Sequence, residues 1–265
     1  MLQRRGQSYI GVTGFTNKDQ VHRALDCLPP NPNRLLMIGV LASYKSVRGI
    51  PLRPQWQARY PAKAEIANLF CDDERVLNLL HFGGVDGDIS EDDLLDELLR
   101  VRDLAGSNCH GFQLNMIWPS RLVLECYRED YPHDVIVLQV GSRAQQQMSE
   151  IDLLRRLKRY FGLADHFLLD PSGGQGKPFQ PQVAISLLKQ ISEWYPNWFG
   201  GAFLPAVAGG LCAQTLPLVE PVVKAFPITS FDAEGRLMSE VGQLDDQLVA
   251  DYIQASFNLP ISQIG

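Results

Sequence analysis

Segments with the apolar run of a buried strand alternate about eight times with segments of helical period along this chain. No composition break marks a linker. The length of 265 residues agrees with the ~250 typical of one closed barrel. Together these observations predict an α/β fold, a single (β/α)8 TIM barrel spanning residues 1–265, with parallel strands and right-handed crossovers. An open doubly wound sheet is the alternative, but no G-x-G-x-x-G turn follows the first strand.

The first strand is expected at Tyr9 to Val12, ending at Thr13-Gly14, with a helix from Lys18 to Leu28 that spaces Val21, Ala24, Leu25 and Leu28 on one face. Arg34 to Leu41 reads as the second strand. The polar stretch 43–60 after it carries Pro51 and Pro54 and is long for a connection, which suggests a substrate loop or lid. Ala62 to Phe70 is expected to be helical. Val76 to Phe82 reads as the third strand, and Ser90, with Asp93 three residues on, as the cap of a helix reaching about Ala105. Gly111 to Met116, Asp134 to Val140 and His166 to Asp170 are the next three strands, each followed by a helix, the last over Gln182 to Tyr195. Phe199 to Val207 and Ala225 to Thr229 complete the expected eight, with helices at Thr215 to Val223 and Leu244 to Phe257.

An apolar fraction of 45% with 20% charged residues is a folded composition. The formal net charge of −6 argues against nucleic acid as a partner, which would call for a concentrated basic footprint. Cys27, Cys71, Cys109, Cys126 and Cys212 are scattered, with no C-x-x-C pair and no metal-ligand spacing, and read as reduced thiols. Residues 1–8 lack an apolar signal core, and no segment approaches the ~18 apolar residues of a membrane span. The expectation is a cytoplasmic monomer or homodimer without metal or cofactor, taking a small phosphorylated ligand.

In a barrel of this kind the chemistry sits at the C-terminal ends of the strands, with phosphate commonly held after the seventh and eighth. The stretch from Phe167 to Phe179 joins a buried run, one carboxylate at Asp170 and a loop rich in glycine, including Gly173, Gly174 and Gly176. It does not fit a Walker loop, since Pro171 and Pro178 stand where glycine and Ser or Thr belong. Gly209 and Gly210 follow the seventh strand and are expected to open a helix whose amides face an anion; Ser230 and Gly235 take the same role after the eighth. Arg48 in the long loop offers paired donors to a carboxylate. His81, at the end of the third strand, is a possible acid or base, and Asn115, Gln139 and Arg143 hold equivalent strand-end positions. The remaining histidines fall on helices or at strand starts.

Several strand ends together resemble phosphoribosylanthranilate isomerase. Leu168-Leu169-Asp170 with Gly173-Gly174-Gln175-Gly176-Lys177-Pro178-Phe179 is similar to the family's Leu-Leu-Asp strand and Gly-Gly-Thr-Gly-x-x-Phe loop. Ala208-Gly209-Gly210-Leu211 is similar to its Ala-Gly-Gly-Leu turn, Val12-Thr13-Gly14-Phe15-Thr16 to its opening Ile-Cys-Gly-Ile-Thr, Tyr44 to Ile50 to its Ser-x-Arg loop, and Phe112-Gln113-Leu114 to its Val-Gln-Leu strand.

The resemblance implies an Amadori-type conversion of a phosphorylated aminoaldose into an aminoketose. Asp170 would be the general acid, Arg48 would hold the anthranilate carboxylate, and Gly209 and Gly210 the phosphate. The chain departs from the family at Thr13, which stands in place of the base cysteine and is a far weaker acid than a thiol. It departs again at Asn115, in place of a histidine, and at Ser230 to Gly235, a loose echo of Asp-Val-x-Ser-Gly. Either His81 or Asp232 then serves as base, or the barrel binds a phosphorylated molecule, or turns over another sugar phosphate, without this reaction.

Overall fold

The computed structural model describes residues 4–83, 89–116, 118–141, 149–170, 179–199 and 203–259. Eight parallel strands close into a barrel in chain order: β1 (Tyr9–Thr13), β2 (Leu35–Ser43), β3 (Val76–Gly83), β4 (Gly111–Asn115), β5 (Val135–Val140), β6 (His166–Leu169), β7 (Leu204–Ala208) and β8 (Ser230–Ala233). The ring shuts where β8 pairs with β1, Asp232 beside Gly11. Side chains alternate along each strand. Tyr9, Leu35, Met37, Leu77, Leu79, Val135, Val137 and Leu168 pack together as one core cluster. Their neighbours one position along, such as Ile10, Leu36, Ile38, Leu80, Ile136 and Phe167, join the helix residues in a second. Fully buried strands explain why the sequence shows continuous apolar runs rather than alternation.

The outer layer comprises α1 (Lys18–Asp26), the short α2 (Tyr44–Val47), α3 (Pro54–Gln57) and α4 (Ile66–Leu69), then α5 (Glu91–Leu104), α6 (Arg121–Asp130), α7 (Glu150–Lys158), α8 (Pro181–Trp194), α9 (Glu220–Ala225) and α10 (Asp246–Phe257). Polar side chains set several starts: Asn17, Ser90, Ser120, Ser149 and Asp245 each accept a hydrogen bond from an amide of the first turn, which satisfies donors that have no partner within the helix.

Three expectations are corrected. The eighth strand is Ser230–Ala233, not Ala225 to Thr229: Ala225 ends α9, and Phe226 to Thr229 form a turn in which Thr229 N donates to Phe226 O at 3.0 Å. Pro227 has no N–H for a ladder. Arg34 crosses from the start of β2 and donates to the Thr229 carbonyl at 2.6 Å and to that of Pro227. The segment after β7 is a 3-10 helix, Ala213–Leu218, followed by α9, rather than one helix. Ala62 to Phe70 is likewise shorter than expected, a 3-10 turn (Lys63–Glu65) running into α4.

Candidate active site

Gly11 of β1 and Gly39 of β2 face the interior without a side chain, and their neighbours fill the space. A Cβ at Gly11 would lie 2.5 Å from Asp232 Oδ1, and one at Gly39 2.5 Å from Thr13 Oγ1. The barrel interior therefore has room for a polar group near its C-terminal mouth. Asp232, 5% exposed, accepts from Gln113 Nε2 at 3.0 Å and from the Thr13 hydroxyl at 3.3 and 3.4 Å. Burial pushes its pKa from 3.8 up to about 7; the bond from Gln113 opposes this, Glu234 adds to it, Thr13 opposes it, and Asp170 adds to it.

On the facing strands, Gln139 Nε2 donates to Asp170 Oδ2 at 2.8 Å. His81 Nε2 lies 3.1 Å from the Asn115 amide nitrogen. An amide N–H donates to that nitrogen only when the ring is neutral with its proton on Nδ1. Burial lowers the pKa of His81, while Glu234 and Asp170 act to raise it. Glu234 and Asp170 thus lie within electrostatic reach of both Asp232 and His81, as groups around one barrel mouth should. A buried carboxyl titrating near neutrality can give or take a proton at physiological pH.

The sequence-derived residues fall into groups. Thr13, His81, Asn115 and Asp170 are brought to this mouth by β1, β3, β4 and the end of β6. Gly209 and Gly210 end β7 at φ of 125° and 58°, conformations that glycine adopts without strain, and the Thr215 hydroxyl donates to the Gly210 carbonyl at 3.0 Å. Their expected α-helix is absent; the 3-10 helix begins at Ala213. Gly235 opens the turn Gly235–Leu237 beyond β8. Ser230 does not follow the eighth strand but begins it, at the opposite end of the barrel, where its Oγ accepts from Tyr9 N at 3.0 Å. It is removed from the phosphate set. Gly174, its glycine-rich loop and Arg143 lie outside the described residues.

Arg48 is engaged by α5 and by the start of its own loop. Its Nη2 donates at 2.9 Å to Glu97 of α5, which is 1% exposed, and its guanidinium stacks 4.4 Å from the centre of the Tyr44 ring. The 43–60 stretch carries α2 and α3 and meets β8 at its other end, where Arg59 Nη1 donates to Glu234 at 3.2 Å and lies over Trp56. Arg59 Nε is buried without a hydrogen-bond partner. Arg59, Glu234 and Gln113 are site residues that sequence reasoning passed over. For Gln113 a signal existed, a polar residue between the apolar Phe112 and Leu114 of its strand; Asp232 was already a candidate base.

Among the described residues no group of three or more His, Cys, Asp or Glu side chains could hold a metal, and no helix is long and apolar enough to cross a membrane. No family model and no curated protein matches the sequence. Solved structures do. Phosphoribosylanthranilate isomerase from Thermus thermophilus aligns with a TM-score of 0.62 at 15% identity, over 95% of this chain and 100% of that one. The fold is similar to that isomerase's. The Thermotoga maritima isomerase gives 0.59 at 14%, over 94% and 98%. A 2-keto-3-deoxy-6-phosphogluconate aldolase from Zymomonas mobilis gives 0.52 at 11%, over 98% and 97%. At such identities the agreement concerns the fold.

Proposed function

We propose that this chain is a phosphoribosylanthranilate isomerase-like enzyme that converts a phosphorylated aminoaldose into the aminoketose at the mouth formed by Asp170, His81, Thr13 and Asp232. The observation that carries the reading is the Thr13–Asp232 contact. Where the resemblance implies a cysteine base, this chain has a hydroxyl bonded to a carboxylate that titrates at about 7. Asp170 donates a proton to the ring oxygen as the C1–O bond breaks. Asp232 takes the proton from C2, and the enolamine that results tautomerises to the ketone. The rearrangement is internal and needs no oxidant or reductant. Gly209, Gly210 and the turn at Gly235 supply backbone donors for phosphate. Arg48, whose guanidinium is 44% exposed beside its Glu97 contact, is the carboxylate clamp, with Arg59 at the other end of the 43–60 stretch as a second donor.

One solved isomerase of similar fold, at a TM-score of 0.60 and 14% identity, holds reduced 1-(o-carboxyphenylamino)-1-deoxyribulose 5-phosphate, which makes that compound the natural probe. Turnover of phosphoribosylanthranilate by the purified chain, lost in Asp232→Asn and Asp170→Asn, would support the reading. Tight binding of the probe with no turnover would favour a barrel that binds a phosphorylated molecule without this chemistry. Neither binding nor turnover would overturn both.

A further inference from the structure

A second cavity, of about 570 Å³, opens on the outer layer between α5, α6 and α7. Among the described residues, Arg121, Arg155, Arg156 and Arg159 line it together with the carboxylates Glu91 and Asp152. Three of the arginines belong to one stripe of α7 and its C-terminal extension, since positions 155, 156 and 159 share a helical face. Arg155 Nη1 meets Asp152 at 3.6 Å, and Arg121 meets Glu125 at 2.9 Å outside the lining. The amino end of α6, a helix of ten residues capped by Ser120, opens onto the same space and adds partial positive charge.

The floor is aromatic and fixed. Trp118 and Tyr160 meet edge to face at 5.2 Å, the Tyr160 hydroxyl donates to Pro119 O at 2.7 Å, and Arg156 lies 4.8 Å over the indole. Trp118 also reaches inward. Its Nε1 donates to the Gln139 carbonyl at 2.7 Å, and Gln139 holds Asp170 through its side chain. The volume falls in the range of small-molecule sites of about 300–1,000 Å³, and convergent guanidinium groups favour phosphate or carboxylate over any neutral ligand.

We propose that this cavity binds a small polyanion carrying two or more negative charges, no larger than a nucleoside diphosphate. The site is separate from the barrel mouth and does not depend on the isomerase reading. Its excess of arginines over carboxylates supplies the charge, and the Trp118–Gln139–Asp170 connection joins it physically to the candidate acid.

Titration calorimetry of the full chain at low salt with pyrophosphate, ADP and citrate tests this, in wild type, in the double variant Arg155→Gln/Arg159→Gln and in Arg59→Gln at the mouth. The replaced α7 arginines are exposed, so circular dichroism should be unchanged. The expected result is saturable one-to-one binding of at least one anion, weakened roughly tenfold or more in the double variant and unchanged in Arg59→Gln; a tenfold loss corresponds to about 1.4 kcal/mol. Preference for pyrophosphate and ADP identifies a phosphate ligand, and preference for citrate a polycarboxylate. Equal affinity in the double variant, loss in Arg59→Gln instead, or no binding of any of the three would each overturn the proposal.

Discussion

The Thr13 hydroxyl and the Asp232 carboxylate meet at 3.3 Å across the seam where the first and last strands of the barrel close. Neither would fit as placed with a side chain at Gly11 or Gly39. The polar centre of the barrel is thus built from two strand positions left bare and two filled with oxygen.

Asp232 should make stability depend on pH. Its pKa is about 7 in the folded chain against an ordinary 3.8, so folding favours the protonated form. That contribution is complete below about pH 4 and lost as pH rises to about 7, a change on the order of a few kcal/mol. Asp232→Asn should remove it. Melting temperatures measured from pH 4 to 8 should show wild type losing ground to the variant as pH rises; parallel curves would contradict the buried carboxyl.

Thr13→Val removes one donor to the ionised Asp232. The Asp232 pKa should therefore rise, by up to about one unit for a single long hydrogen bond. In the pH profile of kcat/KM for phosphoribosylanthranilate, the acidic limb should move to higher pH by that amount. An unmoved limb would show that Asp232 is not the base.

Asp170→Asn should lower kcat by roughly 10²–10⁴, the range for loss of a positioned proton donor. Binding of the reduced aminoketose probe should stay within about threefold, since the amide keeps the shape of the carboxyl and costs well under a factor of ten in affinity. Gln139→Leu, which deletes the 2.8 Å donor to Asp170, should alter the pH profile without abolishing turnover.

Glu97 ties Arg48 and Arg100 together from a position that is 1% exposed, with contacts of 2.9 and 2.5 Å. Glu97→Ala should lower the melting temperature, because Arg48 and Arg100 lose a shared acceptor. It should also speed limited proteolysis within 43–60. An unchanged cleavage rate would show that Arg59 and Glu234 suffice to hold that segment.

A side chain at Gly11 would collide with Asp232 Oδ1 at 2.5 Å and Met37 Cε at 2.8 Å. Gly11→Ala should cost about 1–3 kcal/mol as the core is overpacked and should displace the carboxylate. Chemical denaturation and turnover, measured on the same preparation, should fall together.

The barrel was legible in the sequence because most strands through β7 are dominated by buried apolar residues and most helices begin at a capping Ser, Asn or Asp. The eighth strand was misplaced for a physical reason. Ala225 to Thr229 has the more strand-like composition, yet it ends a helix and turns at Pro227, while the true strand is Ser230-Phe231-Asp232-Ala233, with a serine and an aspartate facing the interior. A four-residue strand with polar residues inside gives no apolar run. The same blindness hid the site: Asp170 and His81 stood out at strand ends, whereas the partners of Asp232 lie on β1 and β4, more than a hundred residues away, and only closure of the ring unites them. Arg48 offered the right chemistry in the right loop, and local spacing could not foretell its contact with Glu97.

A mouth that already holds Asp170, Asp232 and Glu234 is an uneven host for an anion. Each further negative charge placed there makes ionised Asp232 less favourable, so the share of bound complex with a proton-free base grows as pH rises above about 7. Affinity for a phosphorylated molecule would then weaken as pH passes about 7, and the heat of binding would change with the ionisation enthalpy of the buffer. The closed seam of the barrel would thus set binding against proton abstraction, the first favoured below that pH and the second above it.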